Sequence, residues 1–192
     1  MTIGTLPATG IYNLDPERTT IRCDCKALMG LLTVHGTFRL NAGQVRISDD
    51  LAECSVQAII AAGSYASGNG TRDSDVLSAK LLDAKNYPEI TFTGTGARPG
   101  GDGAGWVVTG SVTAHGTTRP VEVRVTGAWL EDGAAAGGPG QSSAAAGGPG
   151  QSGTARFRAT ATLDRLSFGI TKMKLRVGQT VDLAIDATGI PA

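Results

Sequence analysis

The chain has 192 residues, 41% of them hydrophobic and 18% charged, and its 17 basic residues balance 17 acidic ones. That length suits one domain with a core of its own, and zero net charge argues against the basic footprint of nucleic-acid binding. With 28 Gly and 8 Pro, the backbone is interrupted often enough for many short strands joined by turns. The first ten residues, MTIGTLPATG, hold no Lys or Arg and no apolar run fit for a leader, so the protein is expected to be cytoplasmic. No segment reaches the ~18 apolar residues of a membrane helix.

In chain order the dominant period is two. Thr20 to Lys26 sets Ile21, Cys23 and Cys25 against Arg22, Asp24 and Lys26, and Val34 to Leu40 alternates in the same way. Cys54 to Ala62 follows, and then one stretch breaks the rhythm. Ser74 to Ala84, SDVLSAKLLDA, places Leu77 and Leu81 four apart behind Asp73 or Ser74 as N-cap, which predicts a single short helix stopped by Asn86-Tyr87-Pro88. Alternation returns in Ile90 to Thr95, Trp106 to His115 and Val121 to Trp129.

From Gly133 to Gly153 the chain carries no charge and no apolar side chain larger than Ala, and AAAGGPGQS occurs twice within it. A flexible surface loop is expected there, inside a single domain spanning 1–192. Strands resume at Arg156 to Asp164, Lys172 to Val177 and Val181 to Ala187. About eight to ten strands argue an all-β antiparallel sandwich or closed barrel, the barrel being preferred.

The inward register is rich in small residues: Cys23, Cys25, Gly36, Ala58, Ala62, Gly110, Ala114, Ala159, Ala161 and Ala187. An open lumen and a flattened, filled barrel both fit that list. If the lumen is open, Ile21, Cys23, Phe38, Ile60, Phe92, Val108, Ala161, Leu163, Phe168 and Leu183 should line it, with Leu77 and Leu81 covering its mouth as a movable gate.

Several runs resemble the YceI family of lipocalin-like, polyisoprenoid-binding proteins. They are Gly36 and Phe38 in VHGTFRL, Arg72 and Asp73 in TRDSDVLSAKLLDAKNYPEITF, the run VTGSVTAHGTTRPVEV, and Asp164, Arg165, Phe168 and Gly169 in LDRLSFGI. Their order agrees with that family from near Ile11 to the C-terminus. The resemblance implies an extended antiparallel lipocalin-like β-barrel with one short covering helix, enclosing a long apolar channel. It implies sequestration or carriage of an isoprenoid or fatty-acid-like lipid, without catalysis.

The chemistry-bearing residues are few. Cys23, Cys25 and Cys54 are odd in number and read as free thiols, and with only His35 and His115 there is no metal-ligand spacing. No GxSxG elbow marks a nucleophile, and no cofactor is called for. The pairs Arg72–Asp73 and Asp164–Arg165 read as caps and ion pairs of loops. Lys172, Lys174 and Arg176 alternate with Met173, Leu175 and Val177, a strand face that would suit a diphosphate headgroup, an anionic membrane surface, or protection of a sheet edge. Two other readings stay open: an enzyme acting on an apolar substrate inside the barrel, and a filled-core interaction module. Peripheral membrane contact and a homodimer are left open as well.

Overall fold

A computed structural model describes residues 7–101, 105–132, 153–173 and 176–192. The alternating segments become nine strands: β1 (Gly10–Leu14), β2 (Thr20–Ala27), β3 (Leu32–Ile47), β4 (Ser55–Ala66), β5 (Glu89–Pro99), β6 (Trp106–Ala114), β7 (Thr117–Asp132), β8 (Gly153–Asp164) and β9 (Val177–Pro191). All pair antiparallel, and the additional β1–β9 and β3–β4 pairings close the sheet into a barrel. The wall has eight positions, because β1 and β2 run one after the other along the same edge of β3. Asn13 faces Gln44 and Ile21 faces Phe38. Both segments also pair with β9 on their other side.

Hydrogen bonds around Thr188 seal the break between β1 and β2. Thr188 is fully buried; its hydroxyl donates to the Arg18 carbonyl at 3.0 Å and its carbonyl accepts from the Asp15 N–H at 2.8 Å. Asp15 Oδ1 accepts from the Glu17 N–H at 2.9 Å, turning the chain around Pro16 so that Thr19 can reach the wall. The ladder is therefore bridged by one backbone bond and by the Thr188 side chain where the strand is interrupted.

The helix, α1, spans Gly70–Leu77 rather than Ser74 to Ala84. Its N-cap is Asn69, whose side chain accepts from the Arg72 N–H at 3.0 Å, and not Asp73 or Ser74. Asp73 instead accepts from the Ser67 hydroxyl at 2.6 Å and the Ser67 N–H at 3.0 Å, tying the helix to the end of β4. Helical geometry ends at Ser78, where the backbone turns extended. Turns follow, in which the Leu81 N–H donates to the Ser78 carbonyl at 3.0 Å and the Leu82 N–H to the Val76 carbonyl at 2.9 Å. Leu81 is therefore buried in the core as a loop residue and not as part of a helical face.

The expected strand over Lys172 to Val177 is not formed at its described residues Lys172, Met173 and Arg176. Met173 has φ 58°, and its carbonyl accepts from the N–H groups of Arg176 and Val177, both at 2.9 Å, so the segment turns and only Val177 enters β9. The cause is Arg165, buried at 6% exposure. Its guanidinium donates to the carbonyls of Gly178 (2.6 Å), Val177 (2.7 Å), Lys172 (3.0 Å) and Ile170. Asp164 caps the short turn Arg165–Phe168 by accepting from the Leu166 N–H at 2.8 Å. Arg165 thus holds one end of the barrel shut, whereas the sequence suggests only a loop ion pair.

The low-complexity segment lies outside the described residues, except that Gly153 opens β8 and pairs directly with Asp132, the last residue of β7. The segment joins two strand ends that already lie side by side.

Candidate functional site

Small inward residues and aromatic rings are matched to one another across the wall. A Cβ on Gly110 would lie 2.5 Å from the Thr93 carbonyl and 2.7 Å from the Phe92 ring, and one on Gly94 would lie 2.8 Å from the same ring. Phe92 therefore lies flat against the wall only because both positions lack a side chain. Gly36 is covered in the same way by the ring of Tyr65.

With the rings folded back, a cavity of about 200 Å³ remains along the barrel axis. Its lining comes from the inward positions of nearly every strand, from Leu14 and Ile21 through Ile60, Phe92 and Val108 to Leu163 and Leu183. The lining residues with polar side-chain atoms besides Trp106 are Thr19, Arg46 and Cys54, and Arg46 is itself largely exposed outside. Such a surface can hold an apolar chain, and offers it almost no hydrogen-bond partner.

The expected lining residues divide into two groups. Ile21, Ile60, Phe92, Val108, Ala161, Leu163 and Leu183 line the cavity. Phe168 and Leu81 instead pack with Ile170, Val112, Ala114, Val121 and Ala161 as a solid cluster at the α1 end, and Val76, Leu82 and Met173 lie against it. Leu77 is half-buried on α1. Phe38 is half-buried with its ring centroid 5.3 Å from that of Tyr65, and Cys23 is buried beside Gly36. Of the headgroup candidates, Lys172 and Arg176 are exposed on the turn described above, and Lys174 lies outside the described residues.

Reading by period misses Leu14, because β1 is too short to show alternation, and Thr19, which lies just before β2. It also passes over Trp106, although that residue shares the inward register of Val108 and can be found from it. The far end of the cavity is bounded by Leu51, Cys54, Ala97 and Trp106, and beside it Tyr12, Ile47 and Ala155 form a second buried cluster.

One stretch of wall is not laddered. β7 pairs with β8 from Asp132↔Gly153 to Arg124↔Thr160, and there the pairing stops, although both strands continue. Thr117 to Val123 of β7 and Ala161 to Asp164 of β8 keep their ladders to β6 and β9 on their outer sides only. Pro120, which has no N–H to offer a ladder, sits within this stretch. A polar groove lies over the gap, lined by Glu122, Arg124, Thr160 and Thr162. Val121 and Ala161 line both the groove outside and the cavity inside, so these two side chains are the partition between them. Arg119 spans the gap nearer the α1 end by donating from Nε to the Ser167 carbonyl at 2.8 Å.

The titratable groups near the lumen are poorly placed for chemistry. Burial pushes the Cys23 thiol up to about 12, with Asp24 and Cys25 adding to the effect, so at neutral pH it is a thiol and not a nucleophilic thiolate. Burial likewise raises Cys25 and Tyr65. His35 stands outside the barrel with Nδ1 2.8 Å from Asp24, and His115 lies in the β6–β7 turn against Tyr87. No cluster of metal-binding side chains occurs among the described residues.

Comparison with known proteins agrees with this architecture. The profile of the YceI-like domain matches residues 12–189. A UPF0312 protein of Pseudomonas putida is 32% identical over 181 residues, covering 93% of this chain and 85% of the relative. Among solved structures, BcnA of Burkholderia cenocepacia is similar with a TM-score of 0.70 at 22% identity, over 91% of this chain and 98% of that one. A polyisoprenoid binding domain from Saccharophagus degradans is similar with a TM-score of 0.58 at 12% identity, over 96% and 100%.

Proposed function

Since the chain belongs to the YceI-like family and forms a closed antiparallel barrel, we propose that it binds a single-chain apolar lipid in that barrel and carries or sequesters it unchanged. The observation that carries this reading is the cavity: about 200 Å³, lined by side chains from across the wall, and apolar almost throughout. An isoprenoid is the first candidate, because one similar structure is that of a polyisoprenoid binding domain.

The size of the cavity limits the fit. A dry cavity of ~150 Å³ holds a benzene molecule, so this one holds about eight carbons without rearrangement. A longer chain must repack the interior or leave part of itself outside. The unladdered gap between β7 and β8 suits such an exit, because moving Val121 and Ala161 aside separates no paired positions of the two strands. Lifting the α1 end would expose Leu81, Phe168 and Ile170 together. Entry by the β7–β8 gap is therefore part of the reading, in place of a helix gate.

The filled-core interaction module is the weaker alternative, since a filled core would not leave this volume. An enzyme would need a reactive group facing the substrate, and the cavity surface supplies only the Thr19 hydroxyl, the Cys54 thiol and the Trp106 indole besides the stem of Arg46.

The test is native mass spectrometry after incubation with geraniol, farnesol and dodecane, with Ala161→Trp as the partner variant. Wild type should take up one chain, and folded Ala161→Trp should take up at least about tenfold less, because an indole there fills both the lumen and the partition. Equal uptake by a folded variant would remove the cavity as the binding site.

A further inference from the structure

The hairpin between β2 and β3 ends in ALMGLL, Ala27 to Leu32. Turns of this kind ordinarily carry Gly, Asn, Asp or Ser. Here Met29 is 87% exposed and Leu31 86%, with Leu28 and Leu32 at 54% and 47%. Leu28 and Met29 also hold φ of 49° and 56°, a region that large side chains rarely enter. The backbone accepts that strain to present four large apolar groups to solvent in a place where Asn or Gly would sit more easily.

The surroundings are basic. Lys26 is exposed where β2 enters the tip, with Nζ donating to the Thr33 hydroxyl at 2.9 Å. The turn holding Lys172 and Arg176 lies against the tip, since the Leu28 N–H donates to the Arg176 carbonyl at 3.2 Å, and both cations are exposed. Neither residues 25–34 nor residues 165–178 contain an acid. Asp24 and Asp182, which face each other on β2 and β9, lie back along the barrel, and Asp24 is occupied by His35; Asp164, which directly precedes the second segment, accepts from the Gln179 amide at 2.7 Å and from the Leu166 N–H.

We propose that this tip is a membrane-docking finger. Leu28, Met29, Leu31 and Leu32 enter the headgroup and acyl boundary of an anionic bilayer, while Lys26, Lys172 and Arg176 face lipid phosphates. A second copy of the chain or a protein partner could also cover an apolar tip. Exposed cations on two separate segments, with no acid on either, fit an anionic lipid surface instead. The inference rests on the hairpin and not on the barrel's cargo. It has a bearing on that cargo all the same: the finger and the unladdered stretch of β7 and β8 belong to the same end of the barrel, with β9 between β8 and β2.

Flotation with phosphatidylcholine vesicles, with and without about a third phosphatidylglycerol, tests the proposal. Wild type should float with the anionic vesicles and lose that partition in high salt. Met29→Glu with Leu31→Glu should lower it about tenfold or more, at an unchanged thermal midpoint because both side chains are exposed. Lys172→Ala with Arg176→Ala should remove the preference for anionic over neutral vesicles. Wild type failing to float, or the Glu double variant floating equally well, would overturn the finger. So would a dimer in sedimentation that the double variant converts to monomer, since a second copy would then be what covers the tip.

Discussion

The barrel is closed by two different physical means, and the contrast shows where it can open. At the α1 end, closure is by packing. Leu81, Phe168 and Ile170 are buried against the inward faces of β6, β7 and β8, and Arg165 ties the Ile170 to Gly178 segment by four carbonyls. At the β7–β8 gap, closure is by two side chains under a polar groove, with no ladder between the strands to break. Fully burying one large apolar side chain is worth ~1.5 to 3 kcal/mol, so opening the first region costs several such terms at once. The second requires only Val121 and Ala161 to move, two members of the same cluster, and separates no laddered strands. A cap that looks like a lid is thus the firmer region, and a wall that looks continuous is the weaker one.

The largest expected effect falls on the packed end. Arg165→Met should destabilise the protein by ~3 to 5 kcal/mol in urea denaturation, because four carbonyls, that of Ile170 buried and the others part-buried, lose their donor. A loss below about 1 kcal/mol would mean that the Arg165 bonds are replaced by water and that this end is looser than its packing suggests.

Leu81→Ala should cost ~2 to 4 kcal/mol through the cavity it leaves, yet farnesol uptake followed by stopped-flow fluorescence should keep its rate. Uptake accelerated tenfold would return the gate to α1 and the turns after it.

Replacing residues 133–152 by a four-residue turn should change stability by ~1 kcal/mol or less and leave uptake as it was, since the paired part of β7 and β8 is held by its own ladder from Arg124 to Asp132. Altered uptake on excision would show that the segment acts on the gap from outside.

The smallest effect at neutral pH concerns Cys23, which is buried near the packed end. Its pKa is raised on folding, so its contribution to stability is complete below the unfolded thiol value near 9 and is lost as pH rises towards about 12. Denaturation midpoints should fall across that window in wild type and fall less in Cys23→Ala. Iodoacetamide at pH 8 should label Cys54 well before Cys23, and the reverse order would indicate that the α1 end opens more readily than the far end of the cavity.

Periodicity reads the barrel well because side-chain alternation is set strand by strand. Val121, Val123 and Val125 face inward wherever their neighbours lie. Edge bonding is a different property, decided between strands, and alternation does not encode it. Pro120 is the single residue that signals the unladdered stretch. Sequence reasoning places the helix late because Leu77 and Leu81 mimic one helical face, while Asn69 caps an earlier start and Ser78 ends it. The segment from Lys172 to Val177 alternates like a strand, but the remote guanidinium of Arg165 gathers its carbonyls into a turn, a tertiary effect with no local trace. The apolar tip is legible in principle, since between Ala27 and Leu32 only Gly30 is a residue that a hairpin turn prefers.

The direct pairing of Asp132 with Gly153 has a genetic consequence. The two copies of AAAGGPGQS begin ten residues apart, at Ala134 and Ala144, between strand ends whose register is already set by their own ladder. A slippage event that adds or deletes one copy therefore shifts no other residue of the barrel from its partner. The position tolerates length drift, and it is also where a fluorescent tag, an affinity handle or new termini from circular permutation would disturb the folded chain least.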